Sequence, residues 1–190
     1  MTYRMKNIKI IAFGVFIVVI LNSLDAQNNK LSIDLNVPIQ PFGDNFIRQN
    51  YDGIIDMGLK YNFLNVSKID FGISSDIALF DMVDASMFDT RTKLIMFRPR
   101  ISGEIKISKL NPYAGIGYSL LYFNVVDKPD DFDNTSDGLN FNVGLKFHIM
   151  SKLYLNLGYD FIKIRTEGNI INNSYNRNIQ ILDLGFGLQL

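Results

Sequence analysis

Apolar and polar residues alternate along most of this chain, and that alternation restricts the fold more than any other feature. Leu31, Ile33, Leu35, Val37 and Ile39 share one parity, while Ser32, Asp34 and Asn36 share the other. A period of two puts successive side chains on opposite faces of a strand, so such a segment has one apolar and one polar face. The pattern returns seven times. It runs over Ile55–Phe63, Ile69–Ile77, Phe97–Ile107, Pro112–Asn124, Leu139–Ile149, Leu153–Phe161 and Leu182–Leu190. Leu139, Phe141, Val143, Leu145, Phe147 and Ile149 against Asn140, Asn142, Gly144, Lys146 and His148 show it most cleanly. No segment after residue 26 reads as a helix.

The links between these segments differ in length in a regular order. Gln40–Asp52, Asp81–Thr92, Val125–Asp137 and Arg165–Asn176 are long and polar. Leu64–Ser67, Ser108–Asn111 and Met150–Ser151 are short. Long and short alternate, as in outer-membrane barrels with long external loops and short periplasmic turns. Segments of about 9–11 residues suit a tilted crossing of the hydrocarbon layer. The expectation is an all-β, eight-stranded, antiparallel up-and-down transmembrane barrel with both ends on the periplasmic side.

The N-terminus has a different pattern. Arg4, Lys6 and Lys9 precede an apolar run, Ile10–Leu21, that is shorter than the about 20 residues of a spanning helix. Ala26 suits the position before a cleavage point. The expected division is a signal peptide over 1–26 and a barrel domain over 27–190. An uncleaved N-terminal anchor is the alternative.

Alternation alone does not say which face points inward. A soluble ligand-binding barrel would turn the apolar face in; a membrane barrel would turn it out. Charge favours the membrane. Asp34, Asp56, Lys60, Asp70, Asp76, Arg98, Arg100, Glu104, Lys106, Lys146, Asp160 and Asp183 all fall on the polar face, with both signs present. A narrow barrel could close over such a network if the charges pair, since unpaired buried charges are costly. Abundant Gly on that face leaves room for long Arg and Lys side chains. The aromatics group toward the two strand ends: Phe97, Tyr122, Phe123, Phe141, Tyr159 and Phe161 at one, Tyr61, Phe63, Phe71 and Phe147 at the other. Amphipathic rings gather at membrane interfaces in this way. Pro99 conflicts with a closed ladder because it has no N–H to donate. It predicts a bulge there, or a membrane band that begins after it.

Pro112-Tyr113-Ala114-Gly115-Ile116-Gly117-Tyr118 looks like the small-residue fifth strand of small outer-membrane barrels. Gly185-Phe186-Gly187-Leu188-Gln189-Leu190 resembles the C-terminal signal read by the barrel-assembly machinery, with Leu190 where that signal has an aromatic. Over residues 27–190 the chain resembles the eight-stranded family of outer membrane protein X and the barrel domain of outer membrane protein A. The resemblance implies an integral outer-membrane protein. Its expected partners are outer-membrane lipid and lipopolysaccharide, the barrel-assembly machinery during insertion, and an external ligand or surface met through the long loops. A monomer is expected.

Chemistry is sparse. The 190 residues include one His and no Cys, which excludes disulfides, thiolate metal sites and a lipid-modified cysteine. Zero net charge gives no basis for nucleic-acid binding. His148 is the only candidate base for a lipid-modifying site. It faces inward near the periplasmic end, with Ser151 in the following turn, and reads as a hydrogen-bonded interior residue. Asp131–Gly138 faintly resembles a calcium loop, but Ser136 and Asn142 stand where an EF-hand needs Gly and Glu. No catalytic set, metal site or cofactor is expected. Eight strands leave an interior that side chains can just fill. The expectation is a plugged, non-enzymatic barrel displaying four external loops for structure, adhesion or binding. A narrow pore or transport component and a lipid-modifying enzyme are the alternatives.

Overall fold

The computed structural model describes residues 30–41, 45–82, 93–124, 135–165 and 177–190. The expected signal peptide and Asp127–Asp133 of the acidic link lie outside them. Eight strands follow in chain order: β1 (Leu31–Ile39), β2 (Tyr51–Val66), β3 (Ile69–Met82), β4 (Lys93–Ile105), β5 (Leu110–Asn124), β6 (Thr135–His148), β7 (Leu153–Arg165) and β8 (Arg177–Gln189). Each pairs antiparallel with its chain neighbours, and β8 closes on β1. The eight-stranded up-and-down barrel read from the alternation is the observed fold.

The apolar face points outward. Ile33, Leu35, Ile73, Ile101, Ile116, Val143 and Phe186 are all exposed, Ile101 to 62%. On the opposite parity Asp56, Lys60, Asp70, Arg98, Glu104, Lys146, Asp160 and Asp183 are buried. This inverts the usual soluble arrangement and suits a chain whose outer solvent is lipid.

Three details depart from the sequence expectation. First, six residues, Asn45–Asn50, form a helix, α1, just before β2. Its span is too short to display a 3.6-residue period, and burial of Ile47 inside the barrel end gives it a tertiary reason to form. Second, seven of the strands run 13 to 16 residues, longer than the 9–11 expected, and most of the extra length is at the long-link end. Third, Pro99 causes no bulge. It sits opposite Ser75 in an unbroken β3–β4 register. Toward β5 the paired positions stop at Phe97–Leu120 and resume at Arg100–Gly117 without a shift. The lost donor is absorbed as a short gap in one ladder.

The bulges lie elsewhere, both in β2. The register shifts between Gly53 and Ile55 and again between Asn62 and Leu64. An extra residue reverses which face the following side chains occupy. The first shift therefore lets Tyr51 point into the barrel although Ile55, Met57 and Leu59 point out. Opposite the long links, Ser67 and Ser108 take left-handed backbone conformations (φ 59° and 56°) in the tight β2–β3 and β4–β5 turns.

Candidate functional site

The interior is stacked in layers along the barrel axis, and buried charged groups converge there. At its middle Arg98 is fully buried. Its guanidinium pairs with Asp56 on β2 and Asp160 on β7, and reaches Asp183 on β8 at 3.4 Å. Arg100, two residues along the same inward face of β4, pairs with Asp76 and with Asp160 at 2.5 Å. Two guanidiniums thus tie together carboxylates from four strands. A planar fork of donors suits this task better than an ammonium would.

Beneath this layer lies an amide and phenol layer. The Tyr113 hydroxyl donates to Asn156 at 3.0 Å, and Asn156 donates to Asn36 at 3.1 Å. Next come two lysines. Lys60 bonds Glu104 at 2.7 Å. Lys146 lies 3.5 Å from Glu104 and 4.0 Å from Asp34, and sits over the Tyr154 ring at 4.5 Å. Two glycines make room for the inward phenols. A Cβ on Gly144 would strike the Tyr113 ring, and one on Gly187 would strike Tyr154. The small inward residues therefore accommodate tyrosines as well as Arg100; a Cβ on Gly117 would fall 2.6 Å from Arg100 Cγ.

Above the Arg98 layer, toward the long links, the interior turns apolar. Ala78, Phe80, Leu94, Met96, Leu121, Ile162, Ile164, Ile179 and Ile181 are buried there with Tyr51 and Ile47. Phe123 packs against this cluster and meets Tyr51 edge-on at 6.1 Å. It therefore points inward rather than joining the outer aromatic group. The polar interior expected from sequence is correct for the lower part of the barrel only.

A cavity of about 40 Å³ lies among the polar layers. Of its lining residues, Asp34, Asp56, Arg100, Ser102 and Asp183 each hold a buried polar atom without a protein partner. A space of that size holds a few waters, which suits such atoms.

His148 lies where expected, inward at the short-turn end. Its Nε2 is 3.1 Å from the Asn111 amide, and its ring packs on Tyr154 at 5.2 Å. Ser151 is exposed in the next turn. Among the described residues no group of three or more His, Asp or Glu is placed to hold a metal.

A family model described as "Outer membrane protein beta-barrel domain" matches residues 11–189. The chain belongs to that family. It is an integral outer-membrane protein of the small eight-stranded type. Solved structures agree on the fold. Neisserial surface protein A has a TM-score of 0.55 at 17% identity, over 84% of this chain and 96% of that one. Ail, the attachment invasion locus protein of Yersinia pestis, gives 0.53 at 14% identity, over 85% and 97%. OprG from Pseudomonas aeruginosa gives 0.52 at 12% identity, over 86% and 97%. No curated protein matches the chain by sequence.

Sequence reasoning missed two features of this outer-membrane barrel, one in its interior and one at its short turns. The apolar cluster was hidden because Leu94-Ile95-Met96-Phe97 and Ile179-Gln180-Ile181-Leu182 are apolar on both faces or nearly so. Continuous apolar runs carry no period-two signal. The second is a repeat at the short turns: Ser67-Lys68-Ile69, Ser108-Lys109-Leu110 and Ser151-Lys152-Leu153. Aligning the turns with each other would have found it.

Proposed function

We propose that this outer-membrane barrel is a closed, non-enzymatic scaffold that displays its four long links outside the cell for surface structure, adhesion or binding. The observation that supports this is the double closure of the interior. A charge-paired layer centred on the fully buried Arg98 lies beneath an apolar layer sealed by Ile47 of α1. In this reading those two layers brace the interior, and function moves to the links. In this reading residues 1–26 are removed on export, the short turns face the periplasm, and the barrel is inserted as a monomer by the barrel-assembly machinery among lipid and lipopolysaccharide.

The long links carry eleven carboxylates against four basic residues. Ail has been crystallised with the heparin analogue sucrose octasulfate, a polyanion. The acidic balance here disfavours a ligand of that charge and favours a basic surface.

Two measurements test the proposal. In planar bilayers the purified barrel is expected to give no discrete conductance steps; regular steps well above baseline would replace the scaffold with a narrow pore. On intact cells a membrane-impermeant maleimide is expected to label Asp52→Cys and to leave Ser151→Cys unlabelled until the outer membrane is opened. Both residues are exposed. The reverse labelling pattern would turn the barrel over.

A further inference from the structure

A lysine immediately precedes every odd-numbered strand. Lys30 stands before β1, Lys68 before β3, Lys109 before β5 and Lys152 before β7. All four have the same backbone role. Their carbonyls accept hydrogen bonds from backbone N–H groups in, or just past, the neighbouring even-numbered strands: Lys30 from Asn62 at 2.8 Å, Lys68 from Lys106 at 2.7 Å, Lys109 from His148 at 2.8 Å and Lys152 from Gln189 at 2.7 Å. The ladder thus fixes one lysine on every second strand around the short-turn rim. Lys68, Lys109 and Lys152 are exposed and Lys30 is half-buried.

No exposed acidic side chain balances them among the described residues of that rim. The two carboxylates nearby, Asp70 and Glu104, are buried and already hold Lys106 at 2.6 Å and Lys60 at 2.7 Å.

We infer that these four lysines form a belt that binds the phosphate headgroups of anionic glycerophospholipids in the leaflet surrounding the short turns. The neighbours of the lysines favour lipid over a soluble polyanion. Val66, Ile69, Ile107, Leu110, Ile149 and Met150 are exposed apolar residues within a few positions of them, Met150 to 66%. The cations therefore sit where the lipid-facing apolar band ends, which is where hydrocarbon gives way to headgroups. Lysine stems can lie along such a band while the ammonium reaches the phosphate layer. The name of the leaflet rests on the orientation proposed above. Headgroup binding does not, because it can be measured on protein accessible from both ends.

The test uses the full barrel in nanodiscs of phosphatidylcholine with a minority of phosphatidylglycerol. Lipid retained on stepwise removal from the disc is counted by native mass spectrometry. The wild type is expected to retain phosphatidylglycerol in preference to phosphatidylcholine. K30Q/K68Q/K109Q/K152Q is expected to lose at least about tenfold of that preference, each lysine near an anionic surface contributing roughly fivefold. The four-arginine variant is expected to keep it. Unboiled gel mobility shows whether each variant is folded, and the single glutamine variants, each with a graded loss, stand in if the quadruple one is not. Equal retention of both lipids by the wild type, or an unchanged preference in the glutamine variants, overturns the belt. Soluble glycerol phosphate that competes as well as short-chain phosphatidylglycerol would show a free-phosphate site and overturn the lipid assignment. Inverted maleimide labelling would move the belt to the other leaflet and leave the binding result standing.

Discussion

Arg98→Met is expected to destabilise the folded barrel by about 3–5 kcal/mol, the usual cost of removing one partner from a buried ion pair. The substitution keeps much of the side-chain volume and deletes the charge. Asp56, Asp160 and Asp183 would then face one another in a layer where Arg98 and Asp160 have no exposure to solvent. Arg100 would still hold Asp160 and Asp76, so the loss falls mainly on Asp56 and Asp183. A lower urea midpoint in lipid vesicles would report it, together with a lower temperature at which the compact band on an unboiled gel is lost. R98M/D56N/D183N is expected to regain most of the loss, because neutral amides can bond one another without a guanidinium. If R98M unfolded at the wild-type midpoint, the central layer would be hydrated and weakly coupled, and the brace would have to be sought elsewhere.

Phe80→Ala is expected to cost about 3–5 kcal/mol, as for other large aromatic truncations in packed interiors. Phe80 is fully buried in the apolar layer among residues contributed by β2, β3, β4, β5, β7, β8 and α1. The void would sit at the long-link end, above an intact Arg98 layer. The variant should therefore stay silent in planar bilayers despite its lower stability. Conductance from F80A alone would show that the apolar layer is the only seal. Stability close to wild type would show that the cluster can collapse onto the space, with Ile47 of the short helix best placed to move.

These two expectations draw on opposite kinds of legibility. Every charge that pairs around Arg98 and Arg100 could be placed on the inward face from parity alone, because a single polar residue out of phase would have broken the alternation. The partners could not be assigned. Arg98 meets Asp56, Asp160 and Asp183 across sequence separations of 42, 62 and 85 residues. Those meetings depend on strand register and on the curvature of a closed sheet. The apolar layer was less legible still. Leu94, Met96, Ile162 and Ile164 share their parity with Arg98, Arg100, Asp160 and Asn156, yet their hydropathy matches the opposite face. A hydrophobic residue pointing into a barrel and one pointing at lipid are the same letters in a sequence. The bulge in β2 adds a further ambiguity, since one extra residue near Ile54 exchanges the inward and outward sets for Tyr51.

By itself the sequence determined the strand count, the alternation of long and short links, and the side on which charge must lie. These are local properties: period two comes from backbone geometry, and link length from chain count. Only the tertiary structure decided that the interior is charge-paired below and apolar above. It also placed one lysine at every second strand around the short-turn rim. Closure brings residues from distant strands to one axial level, and the chemistry at that level depends on who arrives there rather than on any neighbour along the chain.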